Sequence, residues 1–159
     1  MNELFLAVMQ RLAELQGISM IDENKGQLTN YEDGYPITFP AILIDAPIVE
    51  WDDATRTCQT GVATLTVALV IDCYHDSHYG STQEDEVAAH MSLLSDLTSL
   101  LQGWQPADSC GRLCRQQTRM YSDEHGIRVY ETTFQCKVKE TFDMQYDGKM
   151  SVGMKPDKG

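Results

Sequence analysis

From Val62 to Tyr74 the chain reads VATLTVALVIDCY, with Ala63, Leu65, Val67, Leu69, Ile71 and Cys73 at every second position. Alternation of that length predicts one long strand with an apolar face that needs a cover. The period then lengthens: within Ser81–Gly103, residues Val87, Met91, Leu94, Leu97 and Leu101 fall on one helical stripe, which supplies that cover. A second, shorter stripe of Leu4, Phe5, Val8, Leu12 and Leu15 predicts an N-terminal amphipathic helix, with Asn2 placed to cap it and Gly17 placed to end it.

Between these elements the pattern is that of strands and turns. Residues 22–36, DENKGQLTNYEDGYP, lack periodicity and read as an exposed acidic loop. Phe39–Asp45 is a compact apolar run, tolerant of a proline near its start, and is predicted as a strand. Ile48–Trp51 forms the next strand, turning at Asp52 and Asp53 into Thr57–Tyr74, where Gly61 marks a bulge. Ser81-Thr82-Gln83-Glu84 is a capping box for the central helix, and Glu84, Asp85 and Glu86 suit the positive end of its dipole. After Gly103 a turn-rich stretch leads to a strand near Arg112–Tyr121. Asp123-Glu124-His125-Gly126 then turns the chain into Ile127–Phe142, with Tyr130, Thr132, Phe134, Cys136, Val138 and Phe142 on one face. The expected class is α+β: an antiparallel β-sheet packed against a central helix, with an N-terminal helix and a C-terminal β-hairpin. Residues 1–142 are expected to form one domain and 143–159 a flexible tail, because periodicity is lost after Asp143.

Charge narrows the range of partners. Twelve Lys and Arg against 24 Asp and Glu give a net charge of −12 in 159 residues, which argues against a basic surface for a phosphate backbone. The imbalance is uneven. Residues 1–111 carry three basic and seventeen acidic side chains, or −14, and residues 112–159 carry nine and seven, or +2. Opposite patches of this kind orient a head-to-tail contact with a second copy, unless the basic strands are satisfied by acidic neighbours in their own sheet. Five cysteines, an odd number without scaffold spacing, suggest reduced thiols in a cytosol. The N-terminus has no basic region or cleavage site of an export signal, and no apolar run is long enough for a membrane span.

Reaction chemistry is poorly represented. Cys110-Gly-Arg-Leu-Cys114 has three intervening residues and no second ligand pair, so a loop cysteine and a strand cysteine explain it better than zinc. Asp52-Asp53 could hold a metal but is explained more simply by a hairpin turn, whereas His75 and His78, with Asp72 and Asp76, are the basis of a competing reading as a small metal-dependent enzyme or binding domain. Turn chemistry in a strand-to-helix connection accounts for them more simply. GISMIDENKG lacks the spacing of a phosphate loop, and Cys73 and Cys136 lie on apolar strand faces where thiols are inert. No catalytic residue, metal or cofactor is expected. Trp51 and Trp104 both neighbour turns, a place for core-edge packing or for aromatic anchors of a subunit contact. The candidates for that contact are Trp51, Asp52, Asp53, Arg56, Trp104, Arg112, Arg115 and Arg119.

The element order, the FPAILI segment after the loop, and VATLTVALVIDCY followed by a capped helix resemble the tail terminator and tail completion proteins of long-tailed bacteriophages, over about residues 1–142. The resemblance implies a homohexameric ring on the head-proximal end of the virion tail, assembled in the host cytoplasm. Such a ring stops polymerisation of the major tail tube protein and offers a surface to the head–tail connector, with DNA passing only as cargo. A head–tail joining adaptor is the related alternative. The acidic loop at Asp22–Asp33 and the turn at Asp52–Arg56 would then face the lumen or the tube.

Overall fold

The computed structural model describes residues 2–29, 37–72, 84–123 and 125–143. Helix α1 (Asn2–Leu12) is followed by strands β1 (Met20–Glu23), β2 (Ala41–Ile44), β3 (Ile48–Ala54) and β4 (Cys58–Ile71). Helix α2 (Glu84–Leu101) then leads to β5 (Cys114–Ser122) and β6 (Arg128–Thr141). The α+β expectation holds. All six strands belong to one sheet, ordered β1-β2-β4-β6-β5, with β3 also paired to β4.

The long β4 is the spine. It pairs antiparallel with β6 from Cys58↔Thr141 to Ile71↔Arg128. Its other side is shared, β3 taking Gln59–Thr64 and β2 taking Val67–Val70. The alternation on both long strands is realised: Ala63, Leu65, Val67, Leu69 and Ile71 point to the same side as Tyr130, Phe134, Cys136 and Val138, and all are buried. Both helices cover this face, α1 through Leu4, Val8 and Leu12 and α2 through Leu94, Leu97 and Leu101. Arg11 ties the helices together by donating from Nε to the Leu100 carbonyl at 3.0 Å.

Several expectations need correction. Residues 20–23 are a strand, not part of a loop, and β1 runs parallel to β2. A parallel pair needs a crossover. Here Leu28, Ile37 and Phe39, flanking that crossover, pack on the second sheet face against Ala41, Leu43, Ala68, Val70, Ile127 and Val129. One end of the sheet is therefore buried on both sides. Helix α1 ends at Leu12 instead of near Gly17, although Gly17 does take a positive φ of 85°. Met91 and Phe142 are 39% and 43% exposed, so neither belongs to the core stripe assigned to it. The Ser81 capping box, Cys73, and the tail beyond Asp143 lie outside the described residues, as do His75, Asp76 and His78.

Asp52 and Asp53 do not form the turn. Strand β3 continues through them, and the chain reverses at residues 55–57, where the Thr55 N–H donates to the Cys58 carbonyl and the Cys58 N–H donates to Thr55 Oγ1. The pairing Trp51↔Gly61 followed by Ala54↔Gln59 places one extra residue in β3, so the bulge is at residues 52–53 opposite Thr60 and not at Gly61. Gly61 has a different role. A Cβ there would lie 2.6 Å from the Glu50 carbonyl oxygen and 2.9 Å from Trp51 Cε3, so glycine is what lets β3 and the Trp51 ring lie close against β4. Gly61→Ala is expected to lose about 1–3 kcal/mol in a urea melt by overpacking this contact; an unchanged midpoint would show that β3 sits looser than described.

Candidate functional site

The sheet presents two edges of opposite character. At one end lies β5, CRQQTRMYS, nine residues exposed along their length except for the half-buried Tyr121. Its inner side pairs with β6, and no strand among the described residues pairs with its outer side. At the other end, alongside the first half of β4, lies β3, in which Ile48, Glu50, Trp51 and Asp52 are exposed. Long exposed edges are templates for pairing with another chain, and they are usually short, covered or charged.

The expected contact residues gather at these two places. Trp51, Asp52, Asp53 and Arg56 belong to β3 and the turn after it. Trp51 points to the helix-bearing face beside Val49 and is 38% exposed. Asp52 points to the opposite face, and its carbonyl accepts from Gln59 Nε2 at 3.0 Å. Arg115 and Arg119 lie on β5, and Trp104 and Arg112 precede it. Arg112 Nη1 donates to the Gly103 carbonyl. The Arg115 N–H donates to Gln102 Oε1 at 2.7 Å, anchoring the strand start to the end of α2. Trp104 sits under the Arg11 guanidinium, 5.1 Å from the ring centroid.

Arg119 is held in a local triad. Its Nη2 donates to Glu131 Oε1 at 2.8 Å, its guanidinium stacks 4.7 Å from the Tyr121 ring, and Tyr121 donates to Glu131 Oε2 at 3.0 Å. The bond to Glu131 raises the guanidinium pKa, and burial, with Glu131 beside it, raises that of the Tyr121 hydroxyl. The carboxylate thus fixes the direction of the arginine across the sheet. Sequence reasoning missed Glu131, Arg11, and the exposed apolar pair Ile48 and Met120, 69% and 53% exposed. Met120 was visible as the lone long apolar residue in an otherwise polar strand.

Arg119–Glu131 joins two residues of the basic C-terminal third, whereas Arg11–Glu14 and Lys25–Asp22 join residues of the acidic majority.

Open clefts of about 430 and 380 Å³ cross the second sheet face, the first lined by both signs of charge, Asp52 and Asp108 beside Lys137 and Lys139, and the second by the basic Arg112 and Lys137. Among the described residues no three His, Cys, Asp or Glu side chains are grouped to hold a metal. Cys110 and Cys114 part company, the first buried in the core and the second exposed on β5. Burial, with Cys110 nearby, pushes the Cys136 thiol up to about 11. Alkylation of the native protein at pH 8 is therefore expected to label Cys114 within minutes and to spare Cys110 and Cys136 until urea unfolds the sheet. Peptide mass spectrometry reads the order, and early labelling of Cys136 would contradict the packing.

No protein-family model matches the sequence, and no curated protein matches it. Among solved structures, the chain is similar to one described as "Virion of native gene transfer agent (GTA) particle". The TM-score is 0.58 at 14% sequence identity, over 84% of this chain and 92% of that one. The fold is shared with a virion chain. At this identity the likeness is one of architecture alone.

Proposed function

We propose that this protein is a structural component of a phage-type virion, a homohexameric ring seated on the head-proximal end of the tail tube. It ends polymerisation of the major tail tube protein and receives the head–tail connector. The observation that carries this reading is the fold shared with a virion chain over 84% of this chain and 92% of that one. The opposed sheet edges supply the physical means. A head-to-tail interface closes into a ring when each contact rotates the next copy by a fixed angle, and the acidic β3 edge and the arginine-bearing β5 edge are complementary partners for such a contact.

The role needs no catalysis, no metal and no cofactor. A net charge of −12 keeps the ring from holding genome that passes through it as cargo. Acidic residues around Asp22 and in the Asp52–Arg56 segment face the lumen or the tube in this arrangement. The protein is assembled in the host cytoplasm and carried in the virion tail. No helix among the described residues is long and apolar enough to cross a membrane.

The test is to add purified protein to the polymerising tail tube protein of the same particle and to measure tube lengths in negative stain. Tubes that stop short with a ring at one end are expected. Tubes of unchanged length, with the protein bound instead to connector complexes, would place it on the head side as an adaptor.

A further inference from the structure

We propose that ring closure continues the β-sheet from one protomer into the next, the outer edge of β5 pairing antiparallel with the β3 edge of a second copy. This inference rests on the ring reading and specifies its interface. Three observations on the strands carry it.

The first is direction. Strand β3 is antiparallel to β4, β4 to β6, and β6 to β5, so β3 and β5 run in opposite senses within one protomer. A second copy placed beside β5 with the same sheet face upward therefore meets it with an antiparallel β3, the pairing whose hydrogen bonds run perpendicular to the strands. No inversion of the copy is needed, so the contact is head to tail.

The second is parity. On β5, Met120 lies opposite Tyr130 on the helix-bearing face and Arg119 lies opposite Glu131 on the other. On β3, Trp51 shares the helix-bearing face and Asp52 the other. One register, Met120 across from Trp51 of the next copy, satisfies both faces at once, because it also sets Arg119 across from Asp52. The two exposed apolar side chains meet on one face and opposite charges meet on the other, which is the cross-strand matching that stabilises sheets. A shift by one residue in either direction would set Met120 across from an acid, Asp52 or Glu50, and lose the Met120–Trp51 pairing.

The third is exposure. Met120 and Trp51 are large apolar residues left 53% and 38% exposed on the two unpaired edges. The Arg119 guanidinium lies over Tyr121 and toward Glu131 on β6, and its side chain is 61% exposed.

The experiment uses the full chain and two single variants, Arg119→Glu and Asp52→Lys, with oligomer mass read by mass photometry at micromolar concentration. Wild type forms rings, and each variant alone loses at least tenfold in ring population because every interface in a ring carries the same like-charge pair. An equimolar mixture of the two restores rings. In an alternating ring, half of the contacts are wild type and half are the reversed pair. Thermal melts confirm that each variant folds; if Arg119→Glu does not, Met120→Lys replaces it in the single-variant assay and is expected to abolish rings. Rings of unchanged population in the single variants, or a mixture that is not restored, would overturn the β5-to-β3 interface while leaving the ring itself standing. A wild type that is only monomeric would overturn the ring reading, and this inference with it.

Discussion

Phe134→Ala is expected to lower stability by about 3–5 kcal/mol, a large share of the 5–15 kcal/mol that holds a typical domain together. Phe134 is fully buried on the helix-bearing face of β6, directly opposite Leu65 on β4, in the cluster closed by Leu4, Val8, Leu97 and Leu101. Truncation there removes apolar contact and leaves a cavity. Two layers of secondary structure frame the hole, so little collapse is available to fill it. The melting temperature should fall by roughly 6–20 °C for a chain of this size. Phe142→Ala is the matched control. That ring is 43% exposed just beyond the strand end, and its loss should stay within about 0.5 kcal/mol. Circular dichroism melts of the two variants decide the point, and similar midpoints would mean that the core does not sit where the burial places it.

Leu43→Asp is expected to be at least as damaging, for a different reason. Leu43 lies on the second sheet face, the one without helices, yet it is fully buried among Ala41, Ala68, Val70 and Val129 under Leu28, Ile37 and Phe39. A carboxylate among these apolar side chains must either lose its hydration or take up a proton, at a cost of several kcal/mol. The direction with pH follows from the same burial. The buried acid has a folded-state pKa above its unfolded value of about 3.9, so the destabilisation is small at acid pH and grows as pH rises through that value. Thr60→Asp on the same face at the other end of β4 should cost nothing measurable, because Thr60 is exposed and pairs across from Lys139. Urea midpoints at pH 4 and pH 7 give the contrast. Equal tolerance at the two positions would contradict a sheet covered on both faces at one end and bare at the other.

Some of this was legible in the residues. Strict alternation in β4 and β6 announces one wet face and one buried face, and the unbroken run AILI announces a strand covered on both sides. Other features were hidden for identifiable reasons. Strand β1 has only Met20 and Ile21 before two acids, and its parallel partner lies about twenty residues on, so no local pattern marks it. Asp52-Asp53 has the composition of a turn. A bulge absorbs the extra residue and lets β3 run on, a feature of its pairing with β4 that no reading of β3 alone would show. Phe142 continues the alternation of β6, but the helices do not reach that far. The charge asymmetry could be counted from the sequence. Its placement on opposite sheet edges could not, because it follows from the order in which β3, β4, β6 and β5 pair. For the same reason the arginines were visible as candidates, whereas Met120, Glu131 and Arg11 acquire meaning only beside their neighbours.

The claim on which the functional account depends is that this 17.9 kDa chain closes on copies of itself. Mass photometry of the purified full-length protein at micromolar concentration addresses it directly. The account expects one dominant species about six times the chain mass, dissolving toward smaller species as salt screens the opposed edges. A single species at the mass of one chain, unchanged by concentration or ionic strength, would contradict it.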